Sequence, residues 1–283
     1  MKHSRFGKPA IFMVLILIMA LPVSAQNEPG EGLSPFFETE AGFVKVLTHV
    51  FQSGDPGTRF NFITQGGQEI LFPFSRYRLG FTLNRRHLFT ALYQPLTINT
   101  SVTFRDDVTI DGVTFPSGTP MELSYGFPFW RFSYGYDILP ADDLDLFAGA
   151  ALQFRNASIS FAARDGSSAT TNQNLGLVPS LYAHFGYTLG SGIRLEAEAT
   201  GIYASSAIIN GANFEFTGSL LDSSLRLLVP VENRVDTFLN IRFLGGTSEG
   251  ISQFEDKYWT QAVQDYGLNN LGTLSFTAGL RIQ

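Results

Sequence analysis

Outside the first 25 residues the chain has three histidines, His49, His87 and His184, and no cysteine, so thiolate chemistry is absent and imidazole chemistry is scarce. A hydrolase would need one of these rings beside a carboxylate or a serine, so that a nucleophile or a water could be activated. No spacing supplies that pair, and the expectation is that the protein is not an enzyme. The charged residues are more telling, because they alternate with apolar ones. In 192–205, Arg194, Glu196, Glu198 and Thr200 fall on one parity, and Ile193, Leu195, Ala197, Ala199 and Tyr203 on the other. The same alternation sets Arg76 and Arg78 against Tyr77, Leu79, Phe81 and Leu83, and sets Arg281 against Leu274, Phe276, Ala278, Leu280 and Ile282. A period of two is that of an extended strand with two different faces.

Following this parity through every strand-like run gathers Lys45, His49, Arg76, Arg78, Arg131, Asp137, Gln153, Arg155, His184, Arg194, Glu196, Glu198, Asp222, Arg226, Asn240, Arg242 and Arg281 on one face. Two chemistries suit that set. The groups can pair with one another and fill an interior, or their excess of arginine can line a narrow anion-preferring pore for small solutes. Asp106, Asp107 and Asp111 lie between runs, where hard oxygen ligands could bind a divalent cation; a solvated loop is the ordinary reading. No metal site, cofactor or nucleotide-binding motif is expected.

The runs that carry these residues span about 41–52, 73–84, 87–104, 121–137, 143–162, 175–189, 192–205, 214–229, 235–247 and 271–282. Short breaks, such as Asn84-Arg85-Arg86 and Gly190-Ser191-Gly192, alternate with longer ones at 53–72, 105–120, 163–174, 206–213 and 248–270. Ten runs with this rhythm predict an all-β, antiparallel up-and-down barrel, and the apolar outer face predicts that it is transmembrane. Pro95 and Pro128 fall mid-run and are expected at bulges. Aromatic girdles are expected from Phe127, Phe129, Trp130, Tyr134, Tyr136, Tyr187 and Tyr203. Ser252 and Glu255, followed by Phe254, Tyr258, Ala262, Val263 and Tyr266, predict a short amphipathic helix over about 253–266.

The chain's beginning gives the route. Lys2, Arg5 and Lys8 precede an apolar run from Ile11 to Leu21, and Val23-Ser24-Ala25 follows with small residues, which predicts a cleaved signal peptide over 1–25. A short segment at 26–40 then leads into a barrel over 41–283. Loss of Lys2, Arg5 and Lys8 leaves 16 of the 19 basic residues against 25 acidic ones, a net charge of −9, which argues against nucleic acid as a partner. Only 16% of residues are charged and 27 are Phe, so much apolar surface must face something other than water. A secreted soluble β-sandwich or barrel is the alternative fold, and a surface enzyme acting on lipid or peptide the alternative function.

With its export signal, its alternation of turns and loops and its alternating last strand, the chain resembles the small monomeric outer-membrane β-barrels of the outer membrane protein A and W type. The segments Arg86-His87 through Tyr93-Gln94-Pro95-Leu96 and Phe127-Pro128-Phe129-Trp130-Arg131 are similar to barrels with no assigned function. The resemblance implies a monomer in outer-membrane lipid. It departs at the last residues, Arg281-Ile282-Gln283, where such barrels usually carry an aromatic.

Overall fold

The structure is a computed structural model and describes residues 32–206, 216–252 and 265–283. Thirteen strands follow in order: β1 (Leu33–Ser53), β2 (Phe60–Asn61), β3 (Leu71–Leu83), β4 (His87–Thr103), β5 (Val108–Ile110), β6 (Val113–Phe115), β7 (Pro120–Asp137), β8 (Leu144–Ala163), β9 (Ala169–Thr188), β10 (Arg194–Ser205), β11 (Phe216–Glu232), β12 (Val235–Ser252) and β13 (Asp265–Ile282). Ten of them, all but β2, β5 and β6, pair antiparallel with their neighbours, and β13 returns to β1 to close a barrel. Closure leaves no outer edge strand, which is what lets a sheet sit in hydrocarbon.

The tight turns lie at one end, here the turn end. Asn84 and Arg85 both have positive φ, at 50° and 56°, as a two-residue mirror-image turn requires. The longer connections lie at the other, loop end. One of them is shorter than the sequence suggests: the 163–174 break closes at residues 164–168, because β8 and β9 continue as a hairpin from Ala162↔Ala169 downward. The expected helix at 253–266 lies outside the described residues except at its end, where Asp265 and Tyr266 already belong to β13.

Two further expectations are corrected by the register. β1 begins at Leu33 rather than near 41, so Glu38 and Glu40 belong to the barrel wall. Pro95 and Pro128 are not bulges: they stand opposite each other in an unbroken β4–β7 register. Each sits instead where the ladder on its other side is missing. The β3–β4 ladder stops at Tyr77↔Tyr93, and the β7–β8 ladder omits Phe127 and Pro128. A proline nitrogen has no proton to donate, so it is tolerated only where no acceptor waits. The bulges fall at Val46/Thr48 and Pro230/Glu232.

The outward parity carries Phe43, Trp130, Phe132, Leu181, Leu225, Leu239, Ile241 and Phe276, all exposed. These side chains form an apolar band around the outside of the barrel, the face a membrane strand turns to lipid. Aromatics mark its limits: Tyr93 stacks on Trp130 at 4.6 Å toward the loop end, and the Tyr134 hydroxyl meets His87 Nδ1 at 3.0 Å toward the turn end. Phe127 and Phe129 do not join the girdle, because unbroken parity through Pro128 turns both inward, where they are buried. Arginine placed at Leu225 or Leu239 should cost about 2–4 kcal/mol of stability in a bilayer, against about 0–1 at the exposed Asn156 above the band. Urea unfolding of the three variants in lipid vesicles checks this depth dependence.

Candidate functional site

The barrel interior is filled in two layers. Toward the loop end it is apolar: Val44, Val46, Phe72, Leu96, Ile98, Leu123, Tyr125, Phe127, Phe129, Ile159 and Phe161 point in from the wall. Two connections fold down onto them. The 54–70 segment contributes Phe60 and Phe62, and the β5–β6 hairpin contributes Val108, Ile110 and Phe115. Phe60 stacks edge-on against Phe62 at 5.0 Å and against Phe161 at 5.1 Å. Thr58 N donates to Thr109 O at 2.8 Å, tying the two connections together. His49 belongs to this plug. Its ring is fully buried, stacked on Phe62 at 4.2 Å, with Nδ1 2.7 Å from Gln68 Oε1.

Toward the turn end the interior is ionic. Strand alternation places charges two residues apart on each strand: Glu38 and Glu40 on β1, Arg76 and Arg78 on β3, and Arg194, Glu196 and Glu198 on β10. Their partners come from across the barrel. Arg281 donates both terminal nitrogens to Glu196, each at 2.7 Å, and its Nε to Glu38 at 2.7 Å. Arg226 reaches Glu38 at 2.9 Å and Glu198 at 3.2 Å, and Arg78 reaches Glu198 at 3.0 Å. Arg194 bridges Asp145 and Glu196. His184 lies 3.6 Å from Asp145 and 3.7 Å from Glu198.

A second knot sits beneath the plug. Asp222 accepts from Arg242 at 2.5 Å and from Arg131 at 2.6 Å, and Arg131 also holds Gln153 Oε1 at 2.6 Å. Glu40 pairs with Arg76 and accepts from Asn240 and Thr277, each at 2.8 Å. Aromatic faces roof these guanidinium groups: Arg131 lies over Phe129 at 5.1 Å and Arg242 over Phe74 at 5.7 Å. Such contacts let a planar cation border an apolar layer.

Most of the residues expected inside lie in the ionic layer: Arg78, His184, Arg194, Glu196, Glu198, Arg226 and Arg281 share one network, while Arg76 with Asn240, and Arg131, Asp222 and Arg242 with Gln153, form separate clusters beside it. Asp137 is buried but serves the turn, accepting from Leu139 N and Leu146 N at 3.1 Å. His49 is inward but in the plug. Arg155 is inward and in none of these ion pairs. Lys45 is corrected: it points outward and reaches the Glu69 carbonyl, because the bulge after Val46 reverses parity between it and His49.

Sequence reading missed Glu38, Glu40 and Asp145. The first two are legible as Phe37-Glu38-Thr39-Glu40-Ala41, a period-two run within the leading segment 26–40. With them, seven arginines face six carboxylates, and the excess that suggested an anion path largely vanishes. Chemically, the layer holds no exposed acid–base pair; its carboxylates are engaged by guanidinium. Among the described residues no group of three or more His, Asp or Glu could hold a metal ion; Asp107 accepts from Ser117 N within its own loop, and Asp111 from the Ser53 and Thr170 hydroxyls of β1 and β9.

Removing one partner from such a layer should be costly, since the other charge stays buried. Glu196→Ala, which takes both acceptors from the terminal nitrogens of Arg281 and leaves Glu38 shared between Arg281 and Arg226, should lower stability by about 3–5 kcal/mol. Glu122→Ala, which breaks the exposed pair with Arg164, should leave the urea midpoint unchanged. Equal midpoints for the two variants would contradict a dry ionic layer.

No family model matches the chain, and no curated protein matches it. Among solved structures it is similar to the outer membrane protease OmpT from Escherichia coli, with 8% identity and a TM-score of 0.52 over 92% of this chain and 99% of that one. It also matches the outer membrane protein OprG from Pseudomonas aeruginosa, at 8% identity and a TM-score of 0.34 over 90% and 99% of the two chains. A third match is a Pseudomonas aeruginosa FadL homologue, at 9% identity and a TM-score of 0.35 over 88% and 90%. The first of these likenesses shows the fold: a closed ten-stranded β-barrel of outer-membrane type.

Proposed function

We propose that the chain is exported through its first 25 residues, inserts in the outer membrane as a monomer, and serves there as a closed barrel with a structural or interaction role. The observation that carries this reading is the double filling of the interior. Arg131, Arg226 and Arg242 keep 2% or less of their exposure, and Phe60, Phe62 and Phe115 keep none. A conducting path would need water beside the charges, and a barrel of this strand number is only slightly wider than one that side chains fill outright. Whatever the protein recognises is then met at its loop end or along its lipid-facing wall.

The narrow-pore reading is the weaker one, because the carboxylates of β1 balance the arginines it relied on. A hydrolytic role is also the weaker reading, since His49 binds an amide rather than an acid and His184 is buried among ion pairs. In planar lipid bilayers the purified protein should give no unitary conductance at neutral pH. Stable, anion-selective steps would overturn the closed-barrel reading, and recovery of the protein in a soluble fraction would overturn the membrane placement.

A further inference from the structure

The paired charges of the interior are not balanced evenly from end to end. Among the described residues, the network nearest the turn end sets four arginines, Arg78, Arg194, Arg226 and Arg281, against four carboxylates, Glu38, Asp145, Glu196 and Glu198. The clusters beneath the plug set three arginines, Arg76, Arg131 and Arg242, against two carboxylates, Glu40 and Asp222. Of these seven arginines, the one in surplus therefore belongs to the upper clusters, and all three candidates are buried.

The unspent donors of those clusters come together around Phe74. Arg131 and Arg242 end on the same Asp222 oxygen, Oδ2, at 2.6 and 2.5 Å. Arg242 spends its Nε and Nη2 on that carboxylate and lies over the Phe74 ring at 5.7 Å, while its Nη1 is buried with no partner. Two residues from Phe74 on the same inward face of β3 is Arg76. It meets Glu40 through its Nε, which leaves the terminal nitrogens of that guanidinium for a further acceptor. Arg242 and Asp222 both act on Arg76 electrostatically, so these heads are neighbours. The last β3–β4 pair is Tyr77↔Tyr93, and one residue beyond it on each strand stand Arg76 and Gln94. Gln94 is 0% exposed, and neither atom of its amide has a hydrogen-bond partner.

Arg242 Nη1 and Gln94 Nε2 are thus buried donors without an acceptor, at a place that holds one positive charge too many. A water would accept their hydrogen bonds and leave the charge uncompensated; an anion does both. The surplus of one makes that anion monovalent. The plug above, the balanced network below and the buried Phe74 ring make it small. We propose that a single halide ion, chloride, is built into the barrel beside Phe74, held by Arg242 Nη1, the terminal nitrogens of Arg76 and the Gln94 amide. It is a structural ion, enclosed when the cylinder closes, and it needs no conducting path.

The test is urea unfolding of the full chain in phosphatidylcholine vesicles, with sodium chloride exchanged for sodium gluconate at constant ionic strength so that screening is unchanged. Above the dissociation constant, the unfolding equilibrium constant should fall about tenfold for each tenfold rise in chloride, the linkage of one bound ion. Gln94→Glu places a carboxylate at the seat: this variant should be insensitive to the exchange and as stable in gluconate as the unaltered chain is in chloride. Crystals of the unaltered chain grown in sodium bromide should show anomalous density beside Arg242 Nη1. The same chloride dependence in Gln94→Glu as in the unaltered chain, or bromide density absent from the seat, would each overturn the proposal. Should Gln94→Glu fail to fold, as judged by heat-dependent gel migration, the bromide density decides alone.

Discussion

The pairing of arginine with carboxylate inside a sheet cylinder governs the rest of this molecule. An ion in a low-dielectric interior is tolerable only when its partner is present and its remaining donors are satisfied. Here the partners sit on strands far apart in sequence, such as Glu38 with Arg226 and Arg281, or Glu196 with Arg281. Those bonds form only when β13 has returned to β1 and the cylinder is complete. The ionic layer therefore rewards closure and penalises a slipped register, because a shift of one residue would turn every charge toward lipid.

The second layer answers a different problem. A ten-stranded cylinder is too wide to be filled toward its loop end by wall residues alone, so two connections are folded into it. Phe60 and Phe62 come from one and Val108, Ile110 and Phe115 from the other, and the stem of each is held by hydrogen bonds to the wall or to its neighbour. Cation–π contacts join the layers: Arg131 under Phe129 and Arg242 under Phe74 let the last paired charges meet the first aromatic rings.

The fold was legible in the sequence because its physics is local. Period-two alternation, the turn at Asn84-Arg85 and the rhythm of short and long breaks each depend on a few neighbouring residues, and ten strands with an inward charged face followed from them. What was lost depended on pairing. The inward turn of Phe127 and Phe129 requires knowing that Pro128 is matched by Pro95 across the ladder, and the outward turn of Lys45 requires the bulge after Val46. The plug was not legible at all, since nothing in 54–70 or 104–119 states that these loops fold inward. Of the interior charges, the arginines are legible and half of the carboxylates are not: Glu38 and Glu40 precede the first run that alternation makes obvious, and Asp145 lies next to the turn at the start of its run.

The central claim is that the ionic layer is dry and fixed. Its most direct test is hydrogen exchange at the arginine Nε–H groups, read by NMR on refolded protein with the resonances of Arg131, Arg226 and Arg242 assigned by substitution. Guanidinium groups locked between carboxylates away from water should exchange orders of magnitude more slowly than the exposed Arg85 and Arg164. Uniformly fast exchange would mean that water occupies the interior and that the barrel is an open channel lined by charge.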